Sequence, residues 1–343
     1  MRETDAQRYQ RTAMQAAALV VERYSTSFGL ACRLLAPALR PEIRALYALV
    51  RIADETVDGA AGQAGMSAVQ QGKALAALED EVYEAIRDGH STNPIVHAFA
   101  SVARRRGIDT ELIAPFFASM RRDLDPAPFT AAEMPAYIHG SAEVVGLMCL
   151  ACFVEDPVAC ARLREGARAL GSAFQKVNFL RDLGDDVLVR GRNYFPGVVA
   201  VAEDRQPGRL EDEPPAAQTS VQTTLQTTDA AARPHRSIRL TEPARDGILD
   251  DIDAELAQAG EAIAELPASS RLAVASAHAL FSELSRRLRQ TSVDGLVTRR
   301  TRVPGWRKAQ IVARCMVHER IVRRHGRAVD RSTASQSLDG SRG

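Results

Sequence analysis

Six carboxylates fall into two short groups far apart in the chain. In "RIADETVDGA" (51–60), Asp54, Glu55 and Asp58 follow the order D-E-x-x-D. In "NFLRDLGDDVLVRGR" (178–192), Asp182, Asp185 and Asp186 include a D-x-x-x-D pair, Asp182 and Asp186. On a helix, residues four apart project from one face, about 6 Å from each other. Two such carboxylates repel unless the face is in water or a cation bridges them. Carboxylate oxygens are hard ligands that suit Mg²⁺, with Mn²⁺ an alternative, and Mg²⁺ commonly takes one or two carboxylates together with substrate phosphates. Each group also carries arginine: Arg51 three residues before Asp54, Arg181 directly before Asp182, and Arg190 four residues after Asp186. Asn178 and Gln175 precede Asp182 by four and seven residues and extend the same stripe. Amides and arginines beside metal-binding carboxylates point to an anionic, multidentate ligand, most simply a diphosphate. A solvated, salt-bridged helix edge is the competing explanation for either group alone. A metal-storage bundle would want Glu-x-x-His pairs, and no histidine stands three residues after a glutamate beside these motifs.

The elements that must position these groups read as helices. Apolar residues recur at three and four positions in "IRALYALVRIADETV" and "ALAALEDEVYEAI", and β-branched, alternating segments are scarce. The pattern predicts helices over 5–23, 40–58, 67–88, 94–106, 109–124, 130–153, 157–188, 244–265, 268–290 and 306–325, with Pro115 kinking or shortening one of them. The 343 residues then form one all-α domain over 1–325. Residues 203–236 are rich in Gln, Thr, Pro and Ala and read as a mobile loop, because so little apolar surface cannot offset the entropy of ordering. Residues 326–343 are polar and read as a disordered tail.

Composition narrows the partners. With 44 basic and 43 acidic residues, nothing argues for nucleic acid. Five irregularly spaced cysteines do not suggest a disulfide framework, so a reducing cytoplasm is expected. Cys149 and Cys152 form a C-x-x-C among apolar neighbours and read as core thiols. His97, in "NPIVHAFA", reads as a core histidine. No run of about 18 apolar residues appears, so no transmembrane helix is expected, while a peripheral contact at the inner face of the plasma membrane stays open.

Four ordered motifs resemble the head-to-head prenyl synthases, the squalene and phytoene synthases, from about residue 10 to 325. "YSTSF" (24–28) is similar to the family's S-x-S-F motif, and "ALYALVRIADETVDG" (45–59) to its first aspartate-rich helix. "YIHGSAEVVGLM" (137–148) is similar to Y-x-x-G-x-A-x-x-V-G, and "FQKVNFLRDLGDDVLVRGRNYFP" (174–196) to the second aspartate-rich helix with its G-R-x-Y-x-P exit. Within the family, the bacterial phytoene synthases of carotenoid pathways look most similar. The resemblance implies the isoprenoid synthase fold, a single helical bundle around a central apolar cavity. It also implies a Mg²⁺-dependent prenyltransferase that joins two prenyl diphosphates. Asp54, Asp58, Asn178, Asp182 and Asp186 would hold the metal, and Arg51 and Arg181 would contact diphosphate. Ser25, Ser27 and Tyr47 would line the first diphosphate site. Phe28, Tyr137 and Gly146 would line the prenyl channel, with Gln175 near the reacting carbons. Phe28 and Tyr47 could each stabilise a passing cation by roughly 1–2 kcal/mol, or simply pack. Phe281 stands where the family has a tyrosine, and Arg299 and Arg300 are candidate late basic contacts. The implied product is phytoene from two geranylgeranyl diphosphates. A C30 enzyme making presqualene diphosphate, dehydrosqualene or squalene from farnesyl diphosphate remains an alternative, as do a non-catalytic assembly factor and a Mg²⁺-dependent binding module.

Overall fold

The computed structural model describes residues 2–189, 192–195, 199–202 and 236–339. The first helices carry their start signals in the sequence. Helix α1 (Asp5–Tyr24) opens with a Thr4–Gln7 capping box, and Ser25 then caps α2 (Thr26–Leu34) by accepting from Phe28 N–H. Helix α3 (Arg40–Asp58) buries Ile43, Leu46, Leu49, Ala53 and Val57 along one stripe, so the three- and four-residue period that predicts the helix also turns Arg51, Asp54 and Asp58 away from the core. The short α4 (Ala60–Gln63) leads to α5 (Ala68–Asp88), α6 (Pro94–Arg106) and α7 (Thr110–Arg122). Gly89 and Gly107, at φ 79° and 65°, end α5 and α6 in the left-handed conformation that glycine adopts most cheaply. Helix α7 runs on through Pro115.

The next helical stretch is one continuous rod in three parts: α8 (Met134–Ile138), a π segment (His139–Glu143) and α9 (Val144–Phe153). By length and composition Met134–Phe153 could cross a membrane, contrary to the expectation from the sequence. It is instead a central helix. Val144, Leu147, Met148, Leu150 and Cys152 are buried, while Ser141, Val145, Gly146, Cys149 and Phe153 line a cavity. Helix α10 (Pro157–Arg181) ends earlier than the predicted 157–188. The backbone leaves the helical path at Asp182 (φ −103°, ψ 11°) and resumes as a second π segment, Asp185–Val189. Next to the break, Gly184 lets another helix approach closely: a Cβ there would lie 2.0 Å from the carbonyl oxygen of Val297. Val297 belongs to α13 (Val293–Thr298), which follows α11 (Glu242–Glu265) and α12 (Arg271–Arg289).

Among the described residues the fold is all-α apart from one two-stranded antiparallel ribbon, β1 (Val199–Ala202) with β2 (Arg236–Arg239), in which Ala202 pairs with Arg236. The expected mobile loop, 203–236, lies outside the described residues except for Arg236. Helix α14 (Gly305–Asp339) extends beyond residue 325, where the sequence suggests a disordered tail. Its last part lacks an apolar stripe but also lacks proline, so nothing in the chain stops the helix. The chain's one tryptophan, Trp306, is 69% exposed on α14.

Two large apolar clusters and a smaller third, of Leu150, Val154, Leu163, Ile263 and Leu266, make the core among the described residues. One of the large two joins α1, α3, α5, α6, α7 and α9. The other joins α10, α11, α12 and α13 with Tyr137, Tyr194 and Phe195. Helix α3 belongs to the first and α10 to the second, so the two acidic motifs face each other across the seam between clusters.

Candidate active site

A polar pocket opens at that seam. Asp54, Asp58, Tyr47 and Arg51 line it from α3, and Gln175, Asn178, Arg181, Asp182 and Asp186 line it from α10 and the π segment that follows. Asp185 is exposed and outside it. The D-x-x-x-D spacing of Asp182 and Asp186 therefore works across a helix break and not on one regular helix face, yet both side chains reach the same pocket.

Every acidic wall has an arginine against it. Arg51 donates to Asp54 at 2.8 Å and also pairs with Glu55. Arg192 pairs with Asp58 at 2.9 Å, Arg181 donates to Asp182 at 3.0 Å, and Arg300 meets Asp182 at 2.6 Å. Arg300 thus joins the site as a late basic residue. Such carboxylate–guanidinium pairs can trade partners: carboxylates to a cation and guanidiniums to a diphosphate.

The same pocket is lined by Asp123, Tyr137, Arg192 and Tyr194, a network of which sequence reasoning named Tyr137 alone as a site residue. Tyr137 donates its hydroxyl to Asp123 Oδ1 at 2.7 Å, and Arg192 donates to the Asp123 carbonyl at 2.7 Å. Burial pushes the Asp123 carboxyl up to about 7, partly offset by Arg192 and by the Tyr137 hydrogen bond, with Asp58 and Asp54 adding to the rise. Burial also raises the Tyr137 hydroxyl well above its ordinary range, with Asp123 adding to it. Tyr194 stacks on Phe179 with ring centres 4.0 Å apart and lies near-parallel to Tyr137. The "GRNYFP" motif contains Arg192 and Tyr194 and is the one available signal for them. Asp123, in "RRDLD", has none.

A second, apolar pocket adjoins the first. Of the three residues assigned to a prenyl channel, Phe28 and Gly146 line this apolar pocket, whereas Tyr137 lines the polar one and donates its hydroxyl to Asp123. The apolar pocket follows α10 from Gln175 to Leu163, a rise of about 18 Å. Phe28 stacks on Tyr47 with centres 4.5 Å apart. Burial raises the Tyr47 hydroxyl, against the lowering effects of Arg51 and a hydrogen bond with Ser25. Ser25 itself caps α2 and is not among the residues lining either pocket. The Ser27 side chain and Arg190 lie outside the described residues. Phe281 stacks on the pocket-lining Phe174 at 3.7 Å, filling by ring contact a place where a hydroxyl was expected. Val50, Ser141 and Gln175 line both pockets, so they mark the boundary between polar and apolar space.

The C-x-x-C thiols are free, and burial pushes Cys149 up to about 12 and Cys152 higher still, as befits inert core groups. The His97 ring is buried, accepts from Ser91 N–H at 3.4 Å and packs edge-on against Tyr9.

The donor set fits Mg²⁺ held jointly with phosphate. Among the described residues, no three His, Cys, Asp or Glu side chains converge as a ready-made metal cluster. The hard oxygens instead stand on two walls with arginines between them, the arrangement expected where substrate phosphates complete the coordination.

The squalene/phytoene synthase family description matches residues 21–307, and the chain belongs to that family. It is 28% identical to the phytoene synthase of Rhodobacter capsulatus over 84% of this chain and 76% of that one. It is 32% identical to phytoene synthase 3, chloroplastic, of Zea mays over 52% of this chain and 41% of that one. The matched stretch spans about half the length of the first curated relatives. Among solved structures, a dehydrosqualene synthase in complex with ligand superposes with a TM-score of 0.68 at 21% identity, covering 91% of this chain and 98% of that one. The fold is thus the isoprenoid synthase fold.

Proposed function

We propose that the protein joins two geranylgeranyl diphosphates head to head, giving phytoene through a cyclopropylcarbinyl diphosphate. One observation carries the reading: an acidic, arginine-lined pocket opens directly into a long apolar one. That shape is complementary to an anionic head on a hydrocarbon tail. Asp54, Asp58, Asn178, Asp182 and Asp186 would hold Mg²⁺ (or Mn²⁺), which when bound neutralises charge on the departing diphosphate. Arg51, Arg181, Arg192 and Arg300 would leave their carboxylates for diphosphate oxygens. Phe28 of the apolar pocket stacks on Tyr47 of the polar one, and a π face there would stabilise an allylic cation. The apolar lining keeps water from quenching that cation. The relatives named phytoene synthase favour the C20 substrate; the fold of a dehydrosqualene synthase keeps the C15 substrate as the second reading.

The test is a competition between farnesyl and geranylgeranyl diphosphates, with and without NADPH. Phytoene should dominate, without need of reductant. Products of C30 alone would overturn the phytoene reading and leave the family untouched. No diphosphate release from either substrate would leave a binding module.

A further inference from the structure

Serine and threonine in a helix commonly donate to the carbonyl four residues back. Several here do so: Thr56 to Ile52, Ser276 to Leu272 and Ser282 to His278, at 2.9, 2.7 and 3.0 Å. Ser141 does not. Its Oγ is buried and has no hydrogen-bond partner. The reason is local. Ser141 lies in the π segment His139–Glu143, where the helical register is widened. The carbonyl four residues back, that of Tyr137, instead accepts from Ser119 Oγ of α7 at 3.0 Å. The segment is pinned in that position by Gly140, whose absent Cβ would lie 2.1 Å from the Pro115 carbonyl oxygen and 2.2 Å from Ser119 Oγ. A buried hydroxyl without a partner is disfavoured, and π segments recur at functional sites.

Its location says what the partner is. Ser141 is one of the residues shared by the polar and apolar pockets. A prenyl diphosphate lying across both must place its carbon–oxygen junction at that shared boundary. We propose that the Ser141 hydroxyl donates a hydrogen bond to the bridging oxygen of the diphosphate that ionises, and so acts as a catalytic residue. This rests on the prenyl diphosphate reading above. In the step, the C1–O bond of one allylic diphosphate breaks and its electron pair leaves on the bridging oxygen. C1 then bonds to the C2=C3 double bond of the second chain. Loss of one proton closes the cyclopropane ring, giving a cyclopropylcarbinyl diphosphate, free diphosphate and a proton. Ser141 keeps its own proton throughout. The hydrogen bond strengthens as charge develops on the oxygen, so it lowers the barrier more than it aids binding.

Ser141→Ala and Ser141→Thr test this with geranylgeranyl and farnesyl diphosphates. The alanine variant should lose roughly tenfold to a hundredfold in kcat, with KM within about twofold. Threonine should restore most of the rate. Because alanine removes an unpartnered buried hydroxyl, the Tm of Ser141→Ala should be equal to or above that of the parent. A kcat within twofold of the parent, or a loss confined to KM, would overturn the proposal. So would a lowered Tm for the alanine variant, because the hydroxyl would then have a structural partner. A parent protein that releases no diphosphate overturns the substrate reading itself, and is told apart by needing no variant.

Discussion

At the scale of single residues, Asp123 shows how position sets chemistry. Its ordinary pKa of 3.8 rises to about 7 because the carboxyl is buried. Between those values the folded protein holds a proton that the unfolded chain has released. Stability from this group is therefore greatest below about pH 4 and is lost as pH rises toward about 7. Asp123→Asn keeps an oxygen to accept from Tyr137 but does not titrate. In urea unfolding across that range, the variant should gain on the parent steadily as pH rises, then level off above about pH 7. A gap that stays constant with pH would mean that Asp123 is ionised throughout. The paired carboxylates were legible in sequence because their spacing is a local pattern. Asp123 and Ser141 were not, because burial and a missing hydrogen-bond partner arise only once distant helices pack. Arg192 and Tyr194 fall between: their motif is visible, but the Arg192–Asp58 pair joins residues from opposite sides of the seam.

At the scale of elements, α10 meets α9 and the π segment before it through two glycines. A Cβ on Gly146 would lie 2.5 Å from the Ala167 carbonyl oxygen, and one on Gly171 would lie 2.6 Å from that of Ala142. Both contacts are with backbone, which cannot swing aside as a side chain can. Gly146→Ala should therefore destabilise the fold by roughly 1–3 kcal/mol and narrow the apolar pocket that Gly146 lines. Gly247→Ala is the matched control, because nothing lies within 4 Å of a Cβ there. In the interior of α11 that change should stabilise by about 0.5–1 kcal/mol. Thermal melts of the two variants moving in the same direction would refute the close-approach argument. Long helices with a clear apolar stripe were readable from periodicity, with ends off by a few residues. The short α2 and α13 were not, since nine and six residues give too few turns to show a period. Nor was the break at Asp182, beside which a carbonyl from α13 packs closely on Gly184.

At the scale of the whole molecule, the site has no single owner. Its walls belong to α3 in one apolar cluster and α10 in the other, and arginine–carboxylate pairs satisfy each wall. A ligand that binds both walls stabilises the folded state by mass action. Mg²⁺ and inorganic diphosphate together should raise Tm by several degrees, while either alone should shift it little. Asp54→Ala and Asp182→Ala should each abolish the combined shift and turnover, with helical circular dichroism retained. An equal shift from Mg²⁺ alone would show a preformed metal site and defeat the shared-coordination argument.

The exposed position of Trp306 bears on how this molecule can be observed. Indole emission reports the polarity around the ring, and the chain carries one indole, outside the lining of both pockets. Filling the active site therefore leaves the fluorophore in water and the spectrum largely silent. A blue shift on adding vesicles or a second protein would instead signal contact at the outer face of α14. The protein thus carries a built-in optical probe of its surroundings, separate from the chemistry at its centre.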